Sequence, residues 1–278
     1  MDTRSRIHLG TQGWNHPAWI GPFYPPGTKP HDFLSFYSRA FDTVEVDSTY
    51  HATPPEHVVR AWAERVPAGF SFALKLPQQL TPEPLPHTPD LAQLELFCAR
   101  AALLGDKLGP VLVQLGPEFG PERWDAVAAF LERLPRLPGG GPRWAIEFRQ
   151  RGWLGAGPKL LELLHTHGVA LALVEGQLKR EEMMELAIHP TTEFAYVRWL
   201  GASGKKFEDF SAIQVNRDRE LSVWAMALAA LTARVPAVYG YFSNHFQGHA
   251  PGSAREMQRL IGANPVEPEK LRSQTSLF

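Results

Sequence analysis

The chain has one cysteine, almost no net charge, no apolar run long enough to cross a bilayer and no complete dinucleotide-binding glycine turn. Each lack excludes something. A lone cysteine, Cys98, rules out an internal disulfide, and its place in a helical pattern fits a buried small hydrophobe better than a nucleophile. A net charge of −1 over 278 residues offers no general basic surface to nucleic acid or to an anionic membrane, though local basic clusters stay possible. Residues 1–6 lead straight into a strand-like run with no secretory apolar region. A soluble cytoplasmic protein with no membrane partner is therefore expected. The turn Gly10-Thr11-Gln12-Gly13-Trp14 lacks a third glycine and runs into prolines, which argues against a doubly wound nucleotide-binding sheet.

What is present is alternation. Strand-like runs occur at 7–12, 43–47, 71–76, 111–115, 143–149, 170–175, 194–200 and 238–243. Helical patterns separate most of them. Thr88 is expected to cap a helix with Pro89 at its first position, followed by Leu91, Leu94, Phe97, Ala101 and Leu104 at helical spacing. Pro121 and Glu122 open another, with Trp124, Val127, Ala128 and Leu131 as its apolar stripe, and Leu160, Leu161 and Leu164 line a third. The stretch 223–231 is apolar almost all round and predicts a well-buried helix. Strands alternating with helices imply parallel pairing through right-handed crossovers. Eight such units in one chain predict a single-domain α/β fold, a closed (β/α)8 TIM barrel over residues 1–261, with a mobile polar tail at 262–278.

The segment Trp144-Ala145-Ile146-Glu147-Phe148-Arg149 carries the clearest functional signal. Its period of two puts Glu147 and Arg149 on one face and bulky apolar side chains on the other. In a barrel, groups that act on ligands come from the C-terminal ends of different strands. That rule selects Glu45, Asp47, Lys75, Gln114, Glu147, Arg149, Glu175, Arg198, Asn244 and His245. Glu147, Lys75 and Glu45 are the expected catalytic groups. Glu147 beside cations would stay ionised and serve as a general base, while Lys75 would stabilise an oxyanion or bind an anion as a point charge. Arg149 and Arg198 suit a carboxylate or phosphate, and Gln114 and Asn244 would orient it. Trp14, Tyr50 and Trp153 follow strand ends and are expected to line the mouth as a stacking wall, whereas Trp19 and Tyr24 read as packing of loops onto the rim. The bland alternative is a salt-bridged barrel interior in which Arg149 and Arg198 neutralise Glu45 and Glu147. It is disfavoured because desolvating so many charges is costly without a use for them.

A loop after the seventh strand, Gly201-Ala202-Ser203-Gly204-Lys205-Lys206, suits backbone anion binding and equally suits a solvated loop. Only His245 and His249 lie near an expected strand end, and the surrounding cations would repel a divalent ion, so neither metal nor cofactor is expected.

Several motifs together resemble one family. Gly10-Thr11-Gln12-Gly13-Trp14, Phe23-Tyr24-Pro25, Thr43-Val44-Glu45-Val46-Asp47-Ser48-Thr49-Tyr50, Ala73-Leu74-Lys75, Gln114, Glu147-Phe148-Arg149 with Trp153, and Tyr239-Gly240-Tyr241-Phe242-Ser243-Asn244 are similar to the YecE-like family, domain of unknown function seventy-two. The resemblance covers nearly the whole chain before the tail. It implies a TIM barrel and no particular reaction. Against the family pattern, Asp47 stands where asparagine is usual, the segment 76–79 lacks an arginine, Leu200 stands where a histidine often precedes the glycine, and Ser243-Asn244-His245 replaces paired asparagines and an acid. All four departures fall at the expected site, which implies a shifted substrate or weakened activity.

The chain ends Gln274-Thr275-Ser276-Leu277-Phe278. Gln274, Leu277 and Phe278 resemble the short peptide with which bacterial replication and repair proteins dock into the DNA sliding clamp: two apolar anchors and a hydrogen-bonding glutamine. Two functions are carried forward. One is a metal-independent acid–base enzyme, a hydrolase or lyase, acting on a small anionic ligand derived from phosphate, sugar or nucleotide. The other is a catalytically silent barrel that binds nucleic acid or a ligand through the same groups.

Overall fold

The computed structural model describes residues 7–81, 90–135, 142–201 and 207–273. Eight strands are present: β1 (Ile7–Thr11), β2 (Thr43–Val46), β3 (Ser71–Lys75), β4 (Leu108–Leu115), β5 (Arg143–Phe148), β6 (Ala170–Val174), β7 (Phe194–Trp199) and β8 (Ala237–Phe242). All pair in parallel, in the ring order β1-β8-β7-β6-β5-β4-β3-β2. Helices lie between and after them: α1 (Phe33–Tyr37), α2 (Glu56–Glu64), α3 (Leu91–Ala102), α4 (Trp124–Glu132), α5 (Gly157–Thr166), α6 (Arg180–Ile188) and α7 (Asp218–Thr232), then, following β8, α8 (Asn244–Gln247), α9 (Ala250–Leu260) and α10 (Pro268–Ser273). This is the TIM barrel that the alternation predicts. No helix among the described residues is long and apolar enough to cross a membrane.

The ring closes between β1 and β2 by side-chain and bridge contacts rather than by a full ladder. Gln12 bridges Glu45, and the Gly13 N–H donates to the Glu45 carbonyl at 2.8 Å. Tyr37, from α1, wedges into this seam. Its hydroxyl accepts from the Thr11 N–H at 2.9 Å and donates to the Thr43 carbonyl at 3.0 Å, so two buried backbone groups find partners across the join. Gly10 is required here: a Cβ at that position would lie 2.1 Å from the Thr43 carbonyl oxygen.

Alternation separates two apolar regions. Val44, Leu74, Val113, Ile146, Val197 and Phe242 face outward and meet the helices. Inside, small residues from one half of the ring (Ala73, Ala145, Ala172) leave room for large ones from the other (Tyr196, Tyr239, Tyr241). The rim at the strands' N-terminal ends is sealed by His8, stacked on Tyr239 at 4.9 Å, and by the Arg143 guanidinium, also 4.9 Å from that ring. Cys98 is buried in α3, and desolvation pushes its thiol up to about 11, which suits packing and opposes nucleophilic use.

Thr88 and Pro89, expected to open a helix, lie outside the described residues; α3 is described from Leu91, where Asp90 accepts the Gln93 N–H and caps it, and Leu91 itself faces solvent. Local expectations differ in two places. α7 is amphipathic rather than buried all round, with Met226 52% exposed, since only one side of it meets the sheet. Within the segment expected as a mobile tail from 262, α10 is helical and buries Leu271, while Arg259 pairs with Glu267 at 2.5 Å and Arg272 donates to the Gly21 carbonyl. The loop 202–206, the glycine-rich segment 139–141, and Gln274, Leu277 and Phe278 lie outside the described residues.

Candidate functional site

The inward positions nearest the strands' C-terminal ends form one connected ring of charge. At its centre is Arg198 of β7, fully enclosed by the barrel. Its Nη2 donates to Glu45 Oε1 at 2.7 Å, across the barrel on β2. Its Nη1 donates to Glu147 Oε2 at 2.5 Å and to Gln114 Oε1 at 3.2 Å, on β5 and β4. Arg149 grips the same pair from above, Nε to Glu147 Oε1 at 2.9 Å and Nη2 to Gln114 Oε1 at 3.1 Å. Gln114 and Glu147 are register partners on adjacent strands, which is why one arginine reaches both. Lys75 completes the ring. Its Nζ lies 3.4 Å from Asp47 Oδ1 and 4.6 Å from the centre of the Tyr50 ring, and its backbone N–H is held by Thr49 Oγ1 at 2.8 Å.

Period two sorts these groups by depth. Glu45 and Glu147 lie one layer below Asp47 and Arg149 and have no exposed surface. The side chains of Asp47 and Arg149 are 46% and 38% exposed and form the solvent-facing edge. Two residues that strand-end reasoning passes over belong to the ring. Tyr196 donates its hydroxyl to Glu45 Oε2 at 2.6 Å. Gln12 follows Gly10 by two and its backbone bridges Glu45; its side-chain amide nitrogen is buried with no hydrogen-bond partner among the described residues, as is Arg198 Nε. Each was detectable as the same-face neighbour of a residue already singled out, yet tyrosine and glutamine at such positions ordinarily read as core and loop.

The two buried glutamates differ electrostatically. Burial raises the Glu45 carboxyl; Arg198 and Lys75 oppose the rise without cancelling it, and Asp47 adds to it. Burial also pushes Glu147 up, but the guanidiniums of Arg198 and Arg149 and their hydrogen bonds outweigh it, so Glu147 is held below the ordinary glutamate value. One arginine therefore joins a carboxyl that keeps its proton longer to one that loses it sooner.

Other predicted residues fall elsewhere. Asn244 Oδ1 accepts from Trp19 Nε1 at 3.1 Å and from the Ala250 N–H at 3.0 Å, tying the loop after β1 to the start of α9. His245 meets the Phe210 ring edge-on at 5.2 Å, and its Nδ1 accepts from the Phe207 N–H at 3.5 Å. Glu175 pairs with Arg217 at 3.1 Å and accepts the Gly201 N–H at 2.9 Å, away from the ring. Trp153 is fully buried outside the barrel wall, stacked on Phe148 at 4.4 Å, with its indole donating to the Phe119 carbonyl. Trp14 packs edge-on against Trp62 and Phe72. Of the three expected wall aromatics, Tyr50 is the one that touches the ring. Trp19 and Tyr24 are buried packing residues, as expected; Tyr24 donates to the Trp14 carbonyl at 2.6 Å. No group of three or more histidine, cysteine, aspartate or glutamate side chains among the described residues is arranged to hold a metal ion.

A single-domain parallel barrel with this chain's motifs at its rim defines a class. The chain belongs to the family described as "Protein of unknown function DUF72", which matches residues 8–275. It is 25% identical over 272 residues to the UPF0759 protein YunF of Bacillus subtilis, covering 92% of this chain and 94% of the relative. It is 29% identical over 175 residues to the UPF0759 protein YecE of Escherichia coli K12, covering 62% and 60%. The crystal structure of a DUF72 family protein from Thermotoga maritima shares the fold, with a TM-score of 0.74 at 23% identity over 92% of this chain and 99% of that one.

Removing Arg198 leaves two buried carboxyls short of a counter-charge. Arg198→Leu is predicted to lose about 3–5 kcal/mol at pH 7. Without the guanidinium both carboxyl pKa values rise in the folded state above their unfolded values. The resulting penalty is absent when both states are protonated and grows as pH rises. Urea unfolding should show the gap from wild type shrinking from pH 7 to pH 4; a gap that does not change with pH would contradict this electrostatic account.

Proposed function

We propose that the ring is the active site of an acid–base enzyme, metal-independent and of the hydrolase or lyase class, acting on a small anionic ligand of phosphate, sugar or nucleotide origin. The observation that carries the reading is the pair of buried carboxyls, Glu45 and Glu147, joined through Arg198 and shifted in opposite directions. Pairs whose surroundings drive their pKa values apart are how one site holds both an acid and a base near neutral pH. Glu45 is the proton-exchanging member. Glu147, fixed by two arginines, stays ionised and holds Arg149 and Arg198 in place. The ligand's anionic group meets the exposed edge, where Lys75 and Arg149 stabilise negative charge and Asp47, Tyr50 and Gln114 orient it. A second reading, a silent ligand-binding barrel, is favoured by one fact: every carboxylate in the ring already has a cationic partner.

Inorganic phosphate is the simplest probe of the edge. In calorimetric titration Lys75→Met and Arg149→Met should each weaken phosphate binding about tenfold or more. Glu45→Gln should leave that binding within about twofold but remove at least ~100-fold of any turnover found on a panel of sugar phosphates and nucleotides. Phosphate binding insensitive to both cation substitutions would remove the anion site, and unaltered turnover in Glu45→Gln would remove its catalytic role.

The same proposal extends to the C-terminus. The last described helix, α10, is anchored on the barrel by Leu271 and Arg272, so the motif Gln274, Leu277 and Phe278 follows a fixed point. Docking of that motif into a DNA sliding clamp would bring the enzyme to replication or repair sites. A peptide of residues 268–278 should bind a bacterial clamp at micromolar concentration, and Leu277→Ala with Phe278→Ala should abolish it. Absence of binding at high micromolar concentration removes the idea.

A further inference from the structure

The barrel wall is incomplete on one side. β5 and β6 are register partners only at Ala145–Ala170 and Ile146–Leu171. Beyond that point β5 stays paired to β4 through Phe148, and β6 to β7 through Val174, so the two strands part as they approach the charged rim. The helices outside do not cover the opening. Leu171, on the outer face of β6, is only half-buried, whereas Val113, Ile146 and Val197 at comparable positions have no exposed surface. A cavity of about 190 Å³ occupies the gap, bounded by Phe148, Arg149, Ala172 and Val174. It shares Arg151, Trp153, Leu154, Leu160, Leu171 and Leu186 with a groove of about 680 Å³ between α5 and α6. Together they form a largely apolar passage from the ring to the outside, of the size that takes small molecules.

The two ends of the passage differ in charge. Arg149 stands at the inner end. Its Nε and Nη2 hold Glu147 and Gln114, and its Nη1 makes no hydrogen bond to a protein acceptor among the described residues. The outer groove carries Glu162 and Glu185 beside His165 and His189, with Glu182 already paired to Arg151 at 2.8 Å.

We infer that this passage binds an amphipathic monoanion, with its acidic head on Arg149 and its aliphatic body running out between β5 and β6 into the groove. The head-group half rests on the rim being an anion site; the apolar half does not. A second acidic group at the far end would meet Glu162 and Glu185, so monoanions are selected over dianions of equal length.

Calorimetry of the intact chain with acetate, hexanoate, decanoate, decanedioate and 1-decanol, all below micelle-forming concentrations, tests the inference. Decanoate should bind at least tenfold more tightly than hexanoate and than decanedioate, because each added methylene leaves water. Ala172→Phe fills the inner cavity and Leu171→Trp the groove; either should weaken decanoate at least tenfold. Leu171 is only partly buried, so a variant there keeps the test valid if Ala172→Phe does not fold. Affinity independent of chain length, or unchanged in both variants, overturns the proposal. Phosphate binding without any alkyl-chain binding would overturn the passage and leave the anion site standing. Equal binding of 1-decanol and decanoate would overturn the head-group assignment, while the anion site at the rim stands or falls on the phosphate titration.

Discussion

Arg198 is shared between two glutamates that come from strands far apart in the chain. Its guanidinium reaches Glu45 at 2.7 Å and Glu147 at 2.5 Å at a depth where neither glutamate has exposed surface. Any one of the three alone at that depth would be strongly unfavourable. Together they are tolerable only if all three are held within hydrogen-bonding distance, which requires the ring to be closed and its strands to be in register. The charge cluster and the barrel therefore depend on each other. Tyr196 serves the other oxygen of Glu45, Gln114 shares the Arg198 Nη1 with Glu147, and Arg149 extends the network to solvent.

Much of this was legible in the sequence because strands have a fixed period. Alternation alone put Glu147 with Arg149 and Glu45 with Asp47, and the ends of eight strand-like runs pointed to one rim. Arg198, Lys75 and Gln114 were found by the same rule, and the structure brings them together there. What was not legible depends on where the chain goes after a strand stops. Trp153 follows Arg149 by four residues, but the intervening turn carries it to the outward face, where it stacks on Phe148. Asn244 sits at a strand end, yet its carboxamide serves Trp19 and the start of α9, a contact across 225 positions. The parting of β5 from β6 has no local signature, because register is a property of two segments rather than of one.

The cluster also explains how a near-neutral chain presents a strongly polarised site. Lys75, Arg149 and Arg198 are gathered with their carboxylates at one rim, where low dielectric strengthens each interaction. The pairing that makes the buried carboxyls tolerable also sets them apart: Glu147 has two guanidiniums, Glu45 one and a phenol. That asymmetry gives the site its proposed chemistry, and the opening beside Arg149 gives it a side entrance.

The asymmetry is directly measurable. In the intact chain, glutamate side-chain carboxyls labelled with carbon-13 and assigned through Glu45→Gln and Glu147→Gln can be titrated by NMR. The Glu45 carboxyl should titrate above the ordinary glutamate range and the Glu147 carboxyl below it. Two carboxyls titrating together within the ordinary range would contradict the account.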